Sequence, residues 1–320
     1  MKKIRVSAPG KVHLMGEHAV VYGKPALLAA IDLRLFVTIE ELEKNNSIKE
    51  QITIVSREPT DHARYAIDFL LKELKITDYP PIKITIDSQI PAGFHLGSSA
   101  AVAVGLTGAI IYFFKKLWNP IRINELAYEI EKKQHGNPSG GDNTAVTMGG
   151  FIWFRKELEF LKSIWQLPFK PHVTTNHFFL INTGKPKETT GEMVAFVKEK
   201  VSKNPAEMQK LLDLNEQQVK RVTVALKEGN ESELIDAIRI GERTLEGMGV
   251  VSRKVQPLMR QIEEADGAVK ILGGGGVSEG VGFLLCYHQN LAKVESICRN
   301  YSFSLRNIKL GEEGVRLDEK

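Results

Sequence analysis

The sequence predicts an α+β protein with two domains and a cleft between them. Short segments with strand periodicity and longer segments with helical periodicity follow one another without an internal repeat. A chain of 320 residues is longer than a single hydrophobic core usually supports, which favours two domains. Pro168 and Pro171 interrupt the patterned segments near the middle of the chain. We therefore expect an N-terminal domain at residues 1–170 and a C-terminal domain at residues 171–320.

Strands are predicted where β-branched residues cluster or where apolar and polar residues alternate. The opening segment, Ile4 to Val21, alternates in this way, and Gly10 and Gly16 punctuate it, which indicates several short strands joined by turns. The other expected strands are Ile31–Glu40, its returning partner Gln51–Val55 after the loop 41–50, Ile82–Ile86, Phe151–Phe154, Phe178–Ile181, Ala268–Leu272 and Val281–Tyr287.

Helices are predicted where apolar residues recur every three or four positions. They cover Arg64–Leu74, a segment that begins at Ser98 or Ser99, Arg122–His135, Thr190–Ser202, Ala206–Lys227 and Glu231–Met248. The most apolar run, Ala100 to Phe114, is short for a bilayer and contains Gly105 and Gly108. A buried helix is therefore expected there, and no membrane partner.

The composition excludes several classes of protein. Hydrophobic residues make up 42% of the chain, charged residues 26%, and the net charge is +4. Lys and Arg are scattered rather than gathered in a block, so no nucleic-acid partner is expected. Ser7 and Pro9 break the apolar stretch after the basic start, unlike a signal peptide. Two cysteines are too few for a disulfide framework. We expect a cytoplasmic protein with both thiols in its core.

A glycine-rich segment joins the strand at Ile82–Ile86 to the long apolar helix. Its residues are Pro91, Ala92, Gly93, Phe94, His95, Leu96, Gly97, Ser98, Ser99, Ala100 and Ala101. Glycine allows backbone paths in which successive N–H groups point into one concavity. The start of a helix adds unpaired N–H groups and a positive dipole end, and both suit phosphate oxygens. The segment therefore predicts a phosphate-binding loop.

This phosphate loop differs from the two commonest kinds. It lacks the Gly-Lys-Ser/Thr of a Walker A loop and the glycine spacing of a dinucleotide-binding fingerprint. Taken alone, it could also be a strand-to-helix turn in which Ser98 or Ser99 caps the helix.

Three segments in one order resemble the superfamily of galactokinase, homoserine kinase, mevalonate kinase and phosphomevalonate kinase. They are Ala8–Gly23 (APGKVHLMGEHAVVYG), the phosphate loop and the glycine run Gly273–Gly276. Lys11 and His13 stand where galactokinase-like members tend to have Arg and Asn, so the first segment is most similar to the mevalonate-phosphorylating branch. The segment His135–Asn143 (HGNPSGGDN) is similar to the same branch.

The resemblance implies a fold and an activity. The implied fold has an N-terminal ribosomal protein S5 domain 2-like domain and a C-terminal ferredoxin-like domain, with the active site between them. The implied activity is Mg²⁺-dependent transfer of a phosphoryl group from ATP to the 5-hydroxyl of mevalonate, by a homodimer. The alternatives are a kinase for another small alcohol, such as homoserine, a sugar or phosphomevalonate, and a non-catalytic ligand sensor of this fold.

Phosphoryl transfer needs a metal ion, a cation and a carboxylate near the reacting groups. Asp142 lies in a glycine-rich turn, and the resemblance implies that it is the catalytic base. By resemblance, Lys11 approaches both Asp142 and the γ-phosphate. The resemblance also implies Mg²⁺ ligands at Ser99 and at Glu131, eleven residues before Asp142. Without the resemblance, Asp142 would be a turn residue and Glu131 a solvated charge on a helix.

The resemblance places the alcohol substrate near the turn at Gly16. Glu17 and His18 are implied to lie in its pocket, and Thr183 is a further candidate. The alternatives are that Glu17 holds a backbone turn and that His18 is structural.

The chain departs from the superfamily pattern at two positions. His95 stands where the phosphate loop usually has glycine. A residue with a side chain must avoid positive φ there or be strained, and its imidazole is expected to crowd or hydrogen-bond the phosphates. Leu272 stands where Ser or Thr usually precedes the glycine run. The position of that run is therefore predicted but its contacts are not, and a flexible hairpin loop is the alternative.

Overall fold

The computed structural model of the chain describes residues 2–43, 51–135, 138–158, 161–172 and 175–319. Within these residues, two sheets and the helices packed against them form the predicted α+β fold. Most of the predicted loop at 41–50 lies outside the described residues.

The larger sheet takes strands from the first half of the chain and from its C-terminus. They are β1 (Lys3–Met15), β2 (Pro25–Glu41), β3 (Ile52–Ser56), β4 (Ile82–Ser88), β5 (Phe151–Lys156), β6 (Lys162–Gln166) and β11 (Arg316–Glu319). The order is β11-β1-β2-β4-β3, with β5 on β2 and β6 on β5. β3 pairs in parallel with β4, so the expected return of this strand onto β2 was wrong.

The opening segment forms one long strand rather than several short ones. β1 pairs with β2 along its length, and its register shifts between Pro9 and Gly10 and again between His13 and Met15. Such irregularities absorb an extra residue without ending the ladder. They explain why Gly10 does not break the strand as the pattern predicted.

Arg34 on β2 explains how the C-terminus reaches this sheet. Its guanidinium is buried and donates hydrogen bonds to the carbonyl oxygens of Glu313 (2.8 Å) and Gly314 (2.7 Å). β11 then pairs with β1. The last residues of the expected C-terminal domain therefore belong to the sheet of the first half, and the division at residue 170 stays a prediction.

The smaller sheet is antiparallel and comes from the second half of the chain. Its strands are β7 (Phe178–Asn182), β8 (Ala268–Ile271), β9 (Phe283–Tyr287) and β10 (Ser304–Ile308), in the order β10-β7-β9-β8. Cys286 on β9 and Cys298 are both buried free thiols, which confirms their predicted place in the core.

Helices cover both sheets. They are α1 (Asp61–Glu73), α2 (Ser98–Lys115), α3 (Pro120–His135), α4 (Gly141–Met148), α5 (Thr190–Lys203), α6 (Pro205–Glu228), α7 (Glu231–Met248), α8 (Gln256–Glu264) and α9 (Leu291–Asn300). The six predicted helices are confirmed to within a few residues at their ends, while α4, α8 and α9 were missed. α6 packs on β1 and β2 of the larger sheet, and α7 on β8 of the smaller sheet, so helices of the second half join the two sheets.

α2 is apolar around its whole circumference because it is a core helix. By length and hydropathy it is the one helix of the described residues that could cross a membrane, but 67% of it is buried inside the molecule. It packs against β1, β2 and α3. The expectation of a buried helix is therefore confirmed.

Candidate active site

The phosphate loop lies against β1. The backbone N–H of Lys11 donates to the carbonyl oxygen of Leu96 at 2.9 Å. Gly97, with φ of 78°, is the N-cap residue just before α2, and no side-chain hydrogen bond caps the helix. The alternative with Ser98 or Ser99 as cap was therefore wrong. A Cβ atom on Gly97 would lie 2.8 Å from Cγ of Lys11, so glycine lets the loop approach the lysine.

Lys11 and Asp142 form an ion pair beside this loop. Nζ of Lys11 lies 3.0 Å from Oδ2 of Asp142. The lysine side chain is 3% exposed, and that of Asp142 is 41% exposed. The Lys11 ammonium is thus buried, while the Asp142 carboxylate is accessible to solvent.

The start of α4 fixes the position of Asp142. Gly140, with φ of 86°, is the N-cap residue before the helix, and Asp142 lies in the first turn, where the helix dipole favours an acidic residue. The Asn143 side chain donates to Oδ1 of Asn124 on α3 at 2.7 Å, and the Asn124 side chain donates to Thr144. The expected glycine-rich turn was wrong in one respect, because Asp142 is helical.

Ser99 and Glu131 meet at the start of α2. The Ser99 hydroxyl lies 2.8 Å from both carboxylate oxygens of Glu131. Burial raises the pKa of Glu131 to about 7, and the charge of Asp142 adds to this, while the Ser99 hydrogen bond and Lys11 oppose it. His62 on α1, which the sequence did not single out, brings its Nε2 to 3.6 Å from Glu131.

Oxygen ligands of this kind suit a hard divalent cation. No group of three or more His, Cys, Asp or Glu side chains in the described part of the chain is arranged to hold a metal ion. Ser99 and Glu131 would supply two oxygen ligands beside the phosphate loop, so phosphate or water oxygens would have to complete the coordination shell of the cation.

Glu17 is buried and forms an ion pair with Lys270 of β8. The Lys270 ammonium also donates to the carbonyl oxygens of His13 (3.2 Å) and Ile271 (2.6 Å). Burial raises the pKa of Glu17, and the charge of Lys270 opposes the shift. Through Lys270, the Glu17 side chain links the turn after β1 to β8 of the smaller sheet.

His18 follows Glu17 and has the unusual φ of 58°. Its Nε2 lies 3.1 Å from the carbonyl oxygen of Gly274, and burial lowers its pKa. A neutral ring in this contact donates from Nε2. The histidine thus connects the turn after β1 with the glycine run.

Thr183 lies at the end of β7, and its hydroxyl forms hydrogen bonds with backbone groups. It donates to the carbonyl oxygen of Gly282 at 2.8 Å and accepts from the N–H of Val281 at 3.0 Å. These bonds tie β7 to the segment that follows the glycine run.

The glycine run lies between β8 and β9 and faces the phosphate loop. A Cβ atom on Gly273 would lie 2.4 Å from Cγ of His95. His95 has φ of 61°, so it takes the left-handed conformation that the sequence flagged as strained for a residue with a side chain. The three segments that carry the resemblance are therefore in contact.

Lys185 is a cation that the sequence reasoning missed. A Cβ atom on Gly93 of the phosphate loop would lie 3.7 Å from its Nζ. The side chain is exposed, and it makes no ion pair with the residues that the structure describes. No sequence pattern places Lys185 at the phosphate loop, because only the fold brings residues 185 and 93 together.

Comparison with known proteins agrees with this arrangement. Residues 61–150 match the family model for the GHMP kinases N terminal domain, and residues 2–41 match a galactokinase galactose-binding signature. The mevalonate kinase of Archaeoglobus fulgidus is 31% identical over 276 residues, covering 84% of this chain and 88% of its own. That of Thermococcus onnurineus is 30% identical over an alignment of 344 residues, covering 99% of both chains. The chain belongs to the mevalonate kinase family.

Solved structures share the fold. A crystal structure of a mevalonate kinase superposes with a TM-score of 0.81 at 23% identity, covering 97% of this chain and all of that one. The L. major mevalonate kinase in complex with R-mevalonate superposes with a TM-score of 0.80 at 19% identity, covering 98% of this chain and 97% of that one. The family's fold therefore extends over nearly the whole chain.

Proposed function

We propose that the chain transfers the γ-phosphoryl group of ATP to the 5-hydroxyl of mevalonate, giving 5-phosphomevalonate and ADP. Membership in the mevalonate kinase family supports both the reaction and the alcohol. The observation that carries the proposal is the 3.0 Å pair of Lys11 and Asp142 beside the phosphate loop. A non-catalytic sensor has no need of such a pair.

Asp142 is proposed as the general base. Its carboxylate accepts the proton of the 5-hydroxyl while the hydroxyl oxygen bonds to the γ-phosphorus. The bond between that phosphorus and the bridging oxygen breaks, and ADP leaves with the electron pair. The ammonium of Lys11 stabilises the negative charge that spreads over the transferring group.

Ser99 and Glu131 are proposed to hold Mg²⁺. Their oxygens converge within 2.8 Å of each other at the start of α2. When bound there, the ion supplies neutralisation of the phosphate charge. The backbone N–H groups of the phosphate loop would cradle the phosphates, and Lys185, whose ammonium lies near Gly93, would add a cation.

On the alcohol side, we propose that His18 lines the pocket and that Glu17 positions the turn that carries it. The buried ion pair of Glu17 with Lys270 supports this division of roles. Thr183 is proposed to shape the pocket through its backbone contacts. A homodimer and a cytoplasmic location stay predictions that rest on the resemblance and the composition.

A sugar kinase is the second candidate, because residues 2–41 match a galactose-binding signature. The discriminating experiment measures ADP release by the purified protein with Mg-ATP and a panel of mevalonate, phosphomevalonate, homoserine and galactose. We expect turnover with mevalonate to exceed that of every other alcohol. Robust turnover of galactose without turnover of mevalonate would replace the proposal with the second candidate.

A further inference from the structure

The side chain of His95, in the phosphate loop, contacts the second half of the chain at two places. Its ring lies against Gly273, where an added Cβ would be 2.4 Å from Cγ of the ring. Its Nδ1 lies 3.3 Å from the hydroxyl of Thr190, at the start of α5. One imidazole therefore touches the phosphate loop, the glycine run and a helix of the second half.

Thr190 packs on the same glycine run. A Cβ atom on Gly274 would lie 3.2 Å from Cα of Thr190. The carbonyl oxygen of Gly274 also bonds to His18 of the proposed alcohol pocket. The two glycines thus form a wall that His95 contacts on the nucleotide side and His18 on the alcohol side. A side chain on either glycine would push these contacts apart.

The backbone of His95 is strained, and its neighbours hold the strain in place. Left-handed φ is costly for a residue with a side chain and persists where surrounding contacts determine it. Burial lowers the pKa of His95 to about 4, and the charge of Lys11 adds to this effect. The ring is therefore neutral near pH 7, and its Nδ1 can accept a hydrogen bond from the Thr190 hydroxyl.

We propose that His95 is a positioning residue for the nucleotide: held by Thr190 and Gly273, it fixes the phosphate loop against the second half of the chain. The inference rests on the proposed function for the identity of the nucleotide as a nucleoside triphosphate. Loss of the contacts of His95 with Thr190 and Gly273 weakens nucleotide binding and leaves binding of the alcohol unchanged.

Two neighbouring threonines provide matched variants. Thr190→Val removes the hydroxyl that holds His95, and Thr190→Ser keeps it. Thr189→Val instead removes the cap of α5, because Thr189 accepts from the N–H of Glu192 at 3.2 Å and forms a capping box with it. Both threonines are exposed, so the variants are expected to fold.

The test is calorimetric titration of Mg-ATP into each protein without alcohol, together with thermal unfolding. We expect Thr190→Val and His95→Gly each to raise the Kd about three- to tenfold, the usual effect of losing one hydrogen bond. The double variant should bind no more weakly than His95→Gly, because both changes remove the same hydrogen bond between Thr190 and His95. Thr190→Ser should bind as the wild type does, and Thr189→Val should lower Tm with Kd unchanged.

Three results would overturn the inference: a wild-type Kd for Thr190→Val, additive losses in the double variant, or an equal loss in Thr189→Val. Because the titration contains no alcohol, it stays informative if the protein phosphorylates something other than mevalonate. The KM for the alcohol, measured with the substrate identified by the panel, should stay within twofold of the wild-type value in Thr190→Val.

Discussion

Replacing Asp142 by Asn tests the proposed chemistry at a single atom. The amide has the size and shape of the carboxylate but cannot accept the proton of the alcohol at neutral pH. The contacts that position residue 142 come from Asn143, Asn124 and Thr144, and the substitution leaves them intact. The variant should therefore fold and keep its site geometry.

The magnitude follows from two losses. General-base catalysis contributes about 10²- to 10⁴-fold, which corresponds to about 3–5 kcal/mol of transition-state free energy. The second loss is the charge partner of Lys11, whose side chain is 3% exposed. Because the Asp142 side chain is 41% exposed, water screens the pair, and we expect a stability cost of only about 1 kcal/mol.

The assay compares kcat with Mg-ATP affinity. We expect kcat to fall at least about 100-fold, while the Kd of Mg-ATP stays within about threefold, because the phosphate loop is built without Asp142. Asp213→Asn is the matched control: Asp213 lies on α6 and also forms an ion pair with a lysine, Lys24, but it has no proposed role in catalysis, so kcat should be normal. A kcat above one tenth of the wild-type value in Asp142→Asn would refute its role as the base.

Three further outcomes are expected. Lys185→Met should raise the KM for ATP about three- to tenfold, whereas Lys187→Met, which removes a lysine paired with Glu279, should not; equal effects in steady-state kinetics would reject a phosphate contact for Lys185. Glu131→Gln should raise the Mg²⁺ concentration needed for half-maximal rate by about tenfold or more, and an unchanged magnesium titration would remove Glu131 as a ligand. The free energy of unfolding should fall by about 2 kcal/mol for each of His13 and His95 between pH 6.5 and pH 5. The reason is that burial lowers the pKa of His13 to about 3 and that of His95 to about 4, so the unfolded chain takes up protons in this range and the folded chain does not. Urea unfolding of His13→Gln should show a shallower dependence on pH, and an equal slope would contradict this.

The helices and the phosphate loop were predictable because their signals are local. Apolar spacing identified α6 and α7, and glycine spacing identified the turn before α2. β1 was harder, since a register shift at Gly10 depends on its partner strand. The return of β11 to β1 depends on Arg34 binding carbonyl groups about 280 residues away in sequence, which no local pattern records.

The residues of the candidate site were also predictable only in part. The resemblance named Lys11, Asp142, Ser99 and Glu131, and the fold brings them together in two close pairs. Their roles stay proposals. The contacts of Glu17 with Lys270 and of His95 with Thr190 join distant parts of the chain. Their energetics depend on burial, which sequence alone does not give.

The position of the transferred phosphoryl group tests the central claim most directly. The protein is incubated with Mg-ATP and mevalonate labelled with ¹³C at C5, and the product is examined by ¹³C and ³¹P NMR. We predict a phosphomonoester signal and a new carbon–phosphorus coupling at C5, together with one ADP for each product. ADP release without that coupling, or no reaction with mevalonate under conditions where another alcohol is phosphorylated, would contradict the assignment.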